Sequence, residues 1–337
     1  MVAGGGQVGI GLIGVGAIGR LHAQHLASRV PGGRLVAIAD VDRAAAAACG
    51  EQHGVSSVYE DYRELLARGE VDAVVICSPS DTHAQIIEEA AALGKHIFCE
   101  KPIDCDLGRI DRALAAVAKA GVKLQVGFNR RFDANFSYVR EAVASGKIGR
   151  PYVLHIISRD PRPRQASQTR ATAGLFLDMT IHDFDMARYL LGSEVVEVYA
   201  LAGSMAGVGE LDTALVVLRF ANGALGTIDN GQTAYGYDQR VEVFGSEGTV
   251  KVENEQPHRA SVLDSSGIHS ALPQYFFIER YSPSYIAELS AFADCILKDT
   301  EPPVTGEDGR RAVVLALAAQ RSLDQGRPVA VSELSER

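Results

Sequence analysis

Val8-Gly-Ile-Gly-Leu-Ile13-Gly14-Val-Gly16-Ala-Ile-Gly19 sets the architecture of the first half of this chain. Val8–Ile13 is a short apolar run suited to a strand buried on both faces. Gly14, Gly16 and Gly19 form a GxGxxG, and Arg20-Leu-His-Ala-Gln-His-Leu-Ala27 continues in helical period. Glycine-rich turns are common, so the spacing alone says little. A strand before it and a helix after it give it meaning. In that setting the glycines permit a tight turn and close approach of a pyrophosphate. Its charge meets the free N–H groups at the helix start, where Ala17 and Ile18 lie.

A second strand, Arg34–Ala39, ends at Asp40. That acid follows the glycines by about 20 residues, where a carboxylate binds the ribose hydroxyls of NAD and repels a 2′-phosphate. NAD is therefore the expected cofactor, with nearby Arg43 the one feature favouring NADP. Asp40 also reads as a cap for the helix at Ala44–Cys49.

The alternation continues. Glu60–Ala67 and Ala84–Leu93 look helical, and Val71–Cys77 and Lys95–Cys99 strand-like. Helix Leu107–Ala120 and strand Lys123–Val126 follow. Repeated β-α-β units predict a doubly wound parallel sheet with its site at the strands' C-terminal ends. Three segments fall there: Gly14–Gly19, Ser78-Pro79-Ser-Asp-Thr-His83, and Glu100-Lys101-Pro102. They supply the cofactor-binding candidates Ser78, Pro79, His83, Glu100 and Lys101. A lysine just past a buried strand, fixed by a proline that is free to be cis, is well placed for chemistry. His83 reads either as lining for the nicotinamide or as the start of a helix.

After Gly127-Phe-Asn-Arg-Arg-Phe132 the strict alternation stops. A helix at Ala134–Ser145 precedes strand-like runs at Pro151–Ile157, Glu194–Ala202, Thr213–Phe220, Ala224–Asp229, Arg240–Phe244 and Thr249–Val252. Turns such as Asn222-Gly223 and Ser246-Glu-Gly248 predict hairpins in a largely antiparallel open sheet. Tyr285–Leu297 and Gly309–Gln320 read as closing helices. The expected organisation is a nucleotide-binding domain over residues 1–127 and an α+β substrate and oligomerisation domain over 128–337, whose last helix is free to pack back on the first.

Asp178-Met-Thr-Ile-His182-Asp-Phe-Asp185 stands out in the second half. In a helix, Asp178, His182 and Asp185 share one face. That set suits proton transfer, metal ligation or plain helix electrostatics. No second His/Cys/Glu cluster completes a metal shell, so no metal is expected. With Lys101 across a cleft, a neutral histidine accepting a hydroxyl proton suits a secondary alcohol that gives a hydride to nicotinamide.

Composition narrows the class. The 337 residues carry a net charge of −9, which disfavours non-specific nucleic-acid binding. No apolar run approaches the roughly 18–20 residues of a membrane span. Cys49, Cys77, Cys99, Cys105 and Cys295 are odd in number and form no CxxC. They read as free thiols in a reducing cytoplasm.

Gly14–Gly19, Glu100-Lys101-Pro102, Gly127–Phe132 and Asp178–Asp185 together resemble the glucose–fructose oxidoreductase/inositol dehydrogenase (Gfo/Idh/MocA) family over nearly the whole chain. Ser158-Arg-Asp-Pro161 followed by the Asp178 motif is similar to inositol 2-dehydrogenases. The resemblance implies Lys101 as the catalytic lysine, His182 as general base and Asp178 as its substrate-binding partner. It implies Asp160 and Tyr237 (or Tyr235, with Tyr285 weaker) as polyol contacts, and a homotetramer formed through the open face of the second sheet. The implied reaction is NAD-dependent oxidation of a cyclic polyol or sugar, foremost myo-inositol to 2-keto-myo-inositol. Another inositol isomer, an aldose or an anhydrosugar are the alternatives. The segment Arg162–Gly174 departs from the glycine- and proline-bearing pattern of those enzymes, which leaves the substrate open. A non-catalytic NAD-binding regulator and an NAD-dependent glycosidase are the readings from other classes. Retention of both Lys101 and His182 disfavours the regulator.

Overall fold

A computed structural model of the chain describes residues 6–161, 174–205, 210–232 and 234–335. The Arg162–Gly174 departure lies almost wholly outside the described residues. The chain divides into two units: residues 1–132 with 283–313, and residues 133–282 with 314–337. The first unit thus ends at Phe132 rather than Gly127, and it reclaims a segment from the expected second domain.

The first unit is built on a six-stranded parallel sheet. Its strands are β1 (Val8–Ile13), β2 (Gly33–Ala39), β3 (Val58–Tyr59), β4 (Ala73–Ile76), β5 (His96–Glu100) and β6 (Leu124–Gly127). They lie in the order β3-β2-β1-β4-β5-β6, so the winding reverses between β1 and β4. Every residue of β1 and β4 is buried, as continuous apolar runs covered on both faces require. The connecting helices are α1 (Ala17–Ser28), α2 (Arg43–His53), α3 (Tyr62–Leu66), α4 (His83–Ala92) and α5 (Leu107–Ala120). Sequence chemistry marks the ends of α5: the Asp106 side chain accepts the Arg109 N–H, and left-handed Gly121 closes it. Leu289, Phe292, Ala293, Cys295 and Ile296 pack into one core with Ile10, Leu12, Ile38 and Phe98, which is why the returning segment belongs here.

The second unit carries α6 (Ala134–Ala144), β7 (Pro151–Arg159) and a π-helical turn at Phe176–Thr180 that runs into α7 (Ile181–Leu191). Strands β8 (Val195–Gly203), β9 (Thr213–Phe220), β10 (Leu225–Gly231), β11 (Asp238–Gly245) and β12 (Thr249–Val252) follow. An exposed hairpin, β13 (Ser261–Asp264) and β14 (Gly267–Ser270), stands apart from the main sheet. The remaining elements are α8 (Phe277–Leu297), α9 (Gly306–Gln325), β15 (Val329–Ala330) and α10 (Ser332–Ser335). Helix α8 starts earlier than expected, running through Pro283. The seven-stranded sheet has the order β12-β11-β7-β10-β9-β8-β15. Only the β7–β10 pair is parallel, which makes the sheet mostly antiparallel, as its hairpin turns predict. Helices α6 and α7 cover one face, against β7, β11 and β12. The other face is open and bears exposed Leu201, Leu215, Val217, Leu225 and Phe244. No helix among the described residues is long and apolar enough to cross a membrane.

Candidate functional site

The nucleotide half is built from the glycine loop upward. Gly14 has φ of +95°, and a Cβ there would meet the Cys77–Ser78 backbone at 2.6–2.7 Å. A Cβ on Gly19 would lie 2.0 Å from the Gly14 carbonyl oxygen. These two glycines serve packing of strand, turn and helix. Gly16 differs. It is exposed, with nothing within 4 Å of its missing Cβ, and no side chain caps α1 there. Open space before uncapped N–H groups is what a pyrophosphate needs.

Asp40 closes the loop from β2. Its carboxylate accepts the Val15 N–H at 2.7 Å and the Asp42 N–H at 2.8 Å. The cap of α2 is Asp42, which accepts the Ala45 N–H, so Asp40 is not spent on capping that helix. Its half-buried carboxylate, tied to the glycine loop, fits a ribose diol. The loop and Asp40 therefore fit NAD.

At the ends of β4 and β5, His83 joins two loops. It is buried at the start of α4, with Nδ1 2.8 Å from the Pro102 carbonyl and Nε2 2.8 Å from the Ser78 carbonyl. Burial lowers its pKa. The neutral ring has one N–H, so it donates to one of these carbonyls while its other nitrogen only faces the second, and it sits between the Ser78-Pro79 loop and the turn after Lys101. Ser78 itself pairs with Thr82 at 2.7 Å. The Lys101–Pro102 peptide is cis, and Lys101 is half-buried.

The candidates of the second unit lie on the π turn and α7. Asp178 sits within the turn and His182 in the first turn of α7, both half-buried. Asp185 is fully buried. Asp185 thus differs in exposure from Asp178 and His182, and the π turn breaks the regular pitch assumed between Asp178 and His182. Among the described residues, the one group compact enough for a metal ion is His22, Glu100 and Glu288, not Asp178, His182 and Asp185.

Sequence reasoning missed what anchors this segment. The Thr180 hydroxyl donates to Asn230 Oδ1 at 2.6 Å, and Asn230 Nδ2 donates to Asp183 Oδ2 at 2.8 Å and to the Ser158 carbonyl at 3.3 Å. Ser158 donates onward to Gln239 at 3.1 Å. All of these residues are buried, so the chain fastens the helix start to β7, β10 and β11. Beside it, Arg159 reaches Asp229 and Asp238, and Arg240 also pairs with Asp238. These hydrogen bonds and charges hold Asp238 below the usual carboxylate range against its burial.

Asp160 follows β7, and its backbone bonds Gly231 and Ala234. Tyr237 is mostly buried with its ring edge-on to Tyr281 at 5.8 Å, while Tyr235 is exposed. Tyr285 lies in the first unit, its ring 5.7 Å from that of His22.

Residues 8–128 match the family described as "Oxidoreductase family, NAD-binding Rossmann fold", and residues 136–251 match the "GFO/IDH/MocA C-terminal domain". The chain belongs to the Gfo/Idh/MocA oxidoreductase family. NAD is the cofactor of its first domain. The chain is 47% identical to an uncharacterized oxidoreductase of Bacillus subtilis, over 96% of this chain and 97% of that one. It is 45% identical to the myo-inositol 2-dehydrogenase of Thermotoga maritima, over 96% and 99%. Among solved structures it resembles scyllo-inositol dehydrogenase from Lactobacillus casei with bound NAD(H) and scyllo-inositol. That match has 32% identity and a TM-score of 0.91, covering 97% of this chain and 99% of that one. The glycine loop, Lys101 and the Asp178–His182 pair are all present in this chain.

Proposed function

We propose that this protein oxidises a secondary hydroxyl of a cyclic polyol with NAD, and that myo-inositol, converted to 2-keto-myo-inositol, is its substrate. The observation that carries this reading is 45% identity over nearly the full length to a myo-inositol 2-dehydrogenase, in a chain that has the lysine and the aspartate–histidine pair. NAD, when bound, supplies the hydride acceptor. Lys101 holds the reacting oxygen and favours its developing negative charge. His182 takes the hydroxyl proton. Asp178 binds a neighbouring hydroxyl and orients His182. Asp160 and Tyr237 contact the ring from the sheet, while Ser78, Pro79, His83 and Glu100 line or support the nicotinamide side.

The likeness to a scyllo-inositol dehydrogenase favours a second reading in which another inositol isomer is preferred. A panel of inositols, aldoses and anhydrosugars, followed by NADH absorbance, decides both. No NADH with any of them removes the dehydrogenase reading, and a higher kcat/KM for scyllo-inositol replaces the first isomer with the second.

We also propose a homotetramer assembled on the open face of the second sheet. Leu215 there stands opposite Leu201 and Val217 opposite Tyr199 across β8 and β9, and the exposed leucines and valine form one apolar strip. Five free cysteines support action in a reducing cytoplasm.

A further inference from the structure

The proposed chemistry makes no use of His22 or Glu288, which form a buried titratable cluster with Glu100 in the first unit. His22 on α1, Glu100 at the end of β5 and Glu288 on α8 each bring a ligating atom to within 4.8 Å of one another. His22 and Glu288 are fully buried, and the Glu100 side chain is 13% exposed. His22 Nε2 lies 2.7 Å from Glu100 Oε1. Neither carboxyl oxygen of Glu288 has a hydrogen-bond partner. The space is shaped for these groups. A Cβ on Gly127 would fall 3.0 Å from Glu100 Oε2, and the Phe98 ring stands edge-on to His22 at 5.5 Å.

Two carboxylates in so dry a space cannot both stay ionised without a cation. Burial, and then the charge of Glu100, push the Glu288 carboxyl well above the usual carboxylate range. The position of the pair matters. Glu100 ends β5, beyond the reversal between β1 and β4. A dinucleotide spans that reversal with one nucleotide on each side. With the glycine loop and Asp40 holding the adenosine side, the end of β5 falls to the nicotinamide.

We propose that Glu288 holds a buried proton beside Glu100, and that this acid pair releases the proton when the nicotinamide ring is positively charged and keeps it when the ring is neutral. The pair then acts as a counter-charge adjusted to the oxidation state of the cofactor. NAD+ binding drives part of that proton to solvent, at most about half for a shift of one pH unit, whereas NADH binding drives none. The sign follows. NAD+ favours the deprotonated pair, so its affinity relative to NADH rises with pH. A unit charge several ångströms away in a partly buried site moves such a titration by on the order of one pH unit. The other titratable groups around the pair are His22 and His25 on α1, Cys77 after β4, Cys99 on β5 with Lys101 next to Glu100, His83 on α4, and Tyr285 on α8. Strand β6 adds the uncharged Gln125 and Gly127. Several of these groups titrate too, so the variant below is needed to assign any slope.

The test needs no polyol, so its outcome is separate from that of the substrate reading. Dissociation constants for NAD+ and NADH are measured on the full chain from roughly pH 6 to 9. In the wild type the ratio Kd(NADH)/Kd(NAD+) rises about tenfold with pH, and calorimetry in buffers of different ionisation enthalpy shows proton release with NAD+ only. In Glu288→Gln the ratio is flat and the proton release is gone. A flat wild-type ratio, or a slope that survives in the variant, overturns the proposal. Should that variant fail to fold, infrared difference spectra of the wild-type NAD+ and NADH complexes serve instead. A deuterium-sensitive protonated-carboxyl band present with NADH and lost with NAD+ supports the pair, and its absence refutes it. Stoichiometric divalent metal in the purified protein would also overturn the proposal, because a dication would hold both carboxylates ionised.

Discussion

Replacing Asn230 with alanine should separate turnover from NAD+ binding. Asn230 is fully buried in β10 and links Thr180, Asp183 and the Ser158 carbonyl. The hydrogen bond from Thr180 contributes about 1 kcal/mol, the one to a carboxylate oxygen roughly 1.5–3, and the long one to Ser158 less than about 1. The sum is about 3–5 kcal/mol, against a total domain stability of roughly 5–15 kcal/mol. The variant therefore folds, and its second unit melts roughly 10 °C lower. The functional effect follows from geometry. Thr180 lies two residues from Asp178 and from His182, so loosening it moves both. A displacement near 1 Å at a reacting group costs about a hundredfold in rate.

The assay has three readouts on one preparation. Calorimetric unfolding gives the stability loss, kcat/KM gives the loss of positioning, and NAD+ titration gives the state of the glycine loop. NAD+ affinity should hold within about twofold, since the loop belongs to the other unit. Thr180→Val and the double variant complete a cycle with a coupling of about 1 kcal/mol. If Asn230→Ala leaves melting and kcat/KM unchanged, the buried chain does not position the helix. If NAD+ affinity falls in step with activity, turnover and cofactor binding are not separable in this way.

Lys101→Ala should lower kcat by about 10²–10⁴-fold with little change in NAD+ affinity; single-turnover hydride transfer measures the first and fluorescence titration the second. Gly16→Ala should leave melting unchanged, because a Cβ there meets nothing within 4 Å, yet weaken NAD+ binding by filling the space before the N–H groups. Gly19→Ala should lower both, because its Cβ would lie 2.0 Å from a backbone oxygen; equal behaviour of the two variants would refute the division of roles. Burial, then His22 and Arg29, depress the pKa of His25 from 6.5 to about 4. The unfolded chain therefore binds the extra proton first, and stability is full above pH 6.5 and falls as pH drops. The loss from pH 7 to 5 is about 2 kcal/mol, measurable by urea unfolding, and a His25→Gln variant should lack that share of the slope.

The first unit was legible because its signals are local. Buried strands alternate with capped helices, and glycines stand where the backbone must turn or approach closely. Elements with little or no buried apolar surface left no such trace. Strand β3 has two residues, and β13 and β14 are exposed at every position. The π turn was also invisible, since it is a backbone hydrogen-bonding pattern rather than a composition. Reading Asp178 through Asp185 as one regular helix put all three on one face, whereas the fold buries Asp185 and leaves Asp178 and His182 half-buried.

The anchors of that turn were within reach of a stricter reading. Ser158 follows Leu154 and Ile156 at period two, Asn230 follows Ile228, and Gln239 precedes Val241 and Val243. Alternation therefore puts three polar side chains on the inward face of three strands. A buried polar group must find a partner, and three at the ends of strands in one sheet imply a shared network. What alternation cannot supply is the strand order that makes β7 the neighbour of both β10 and β11. The same limit hid Glu288. Its partners come from α1 and β5, elements far away in sequence, and an isolated glutamate in a C-terminal helix looks like surface charge. Residues that act within one element can be read from spacing; residues that hold two elements in register become visible only when the topology supplies the second.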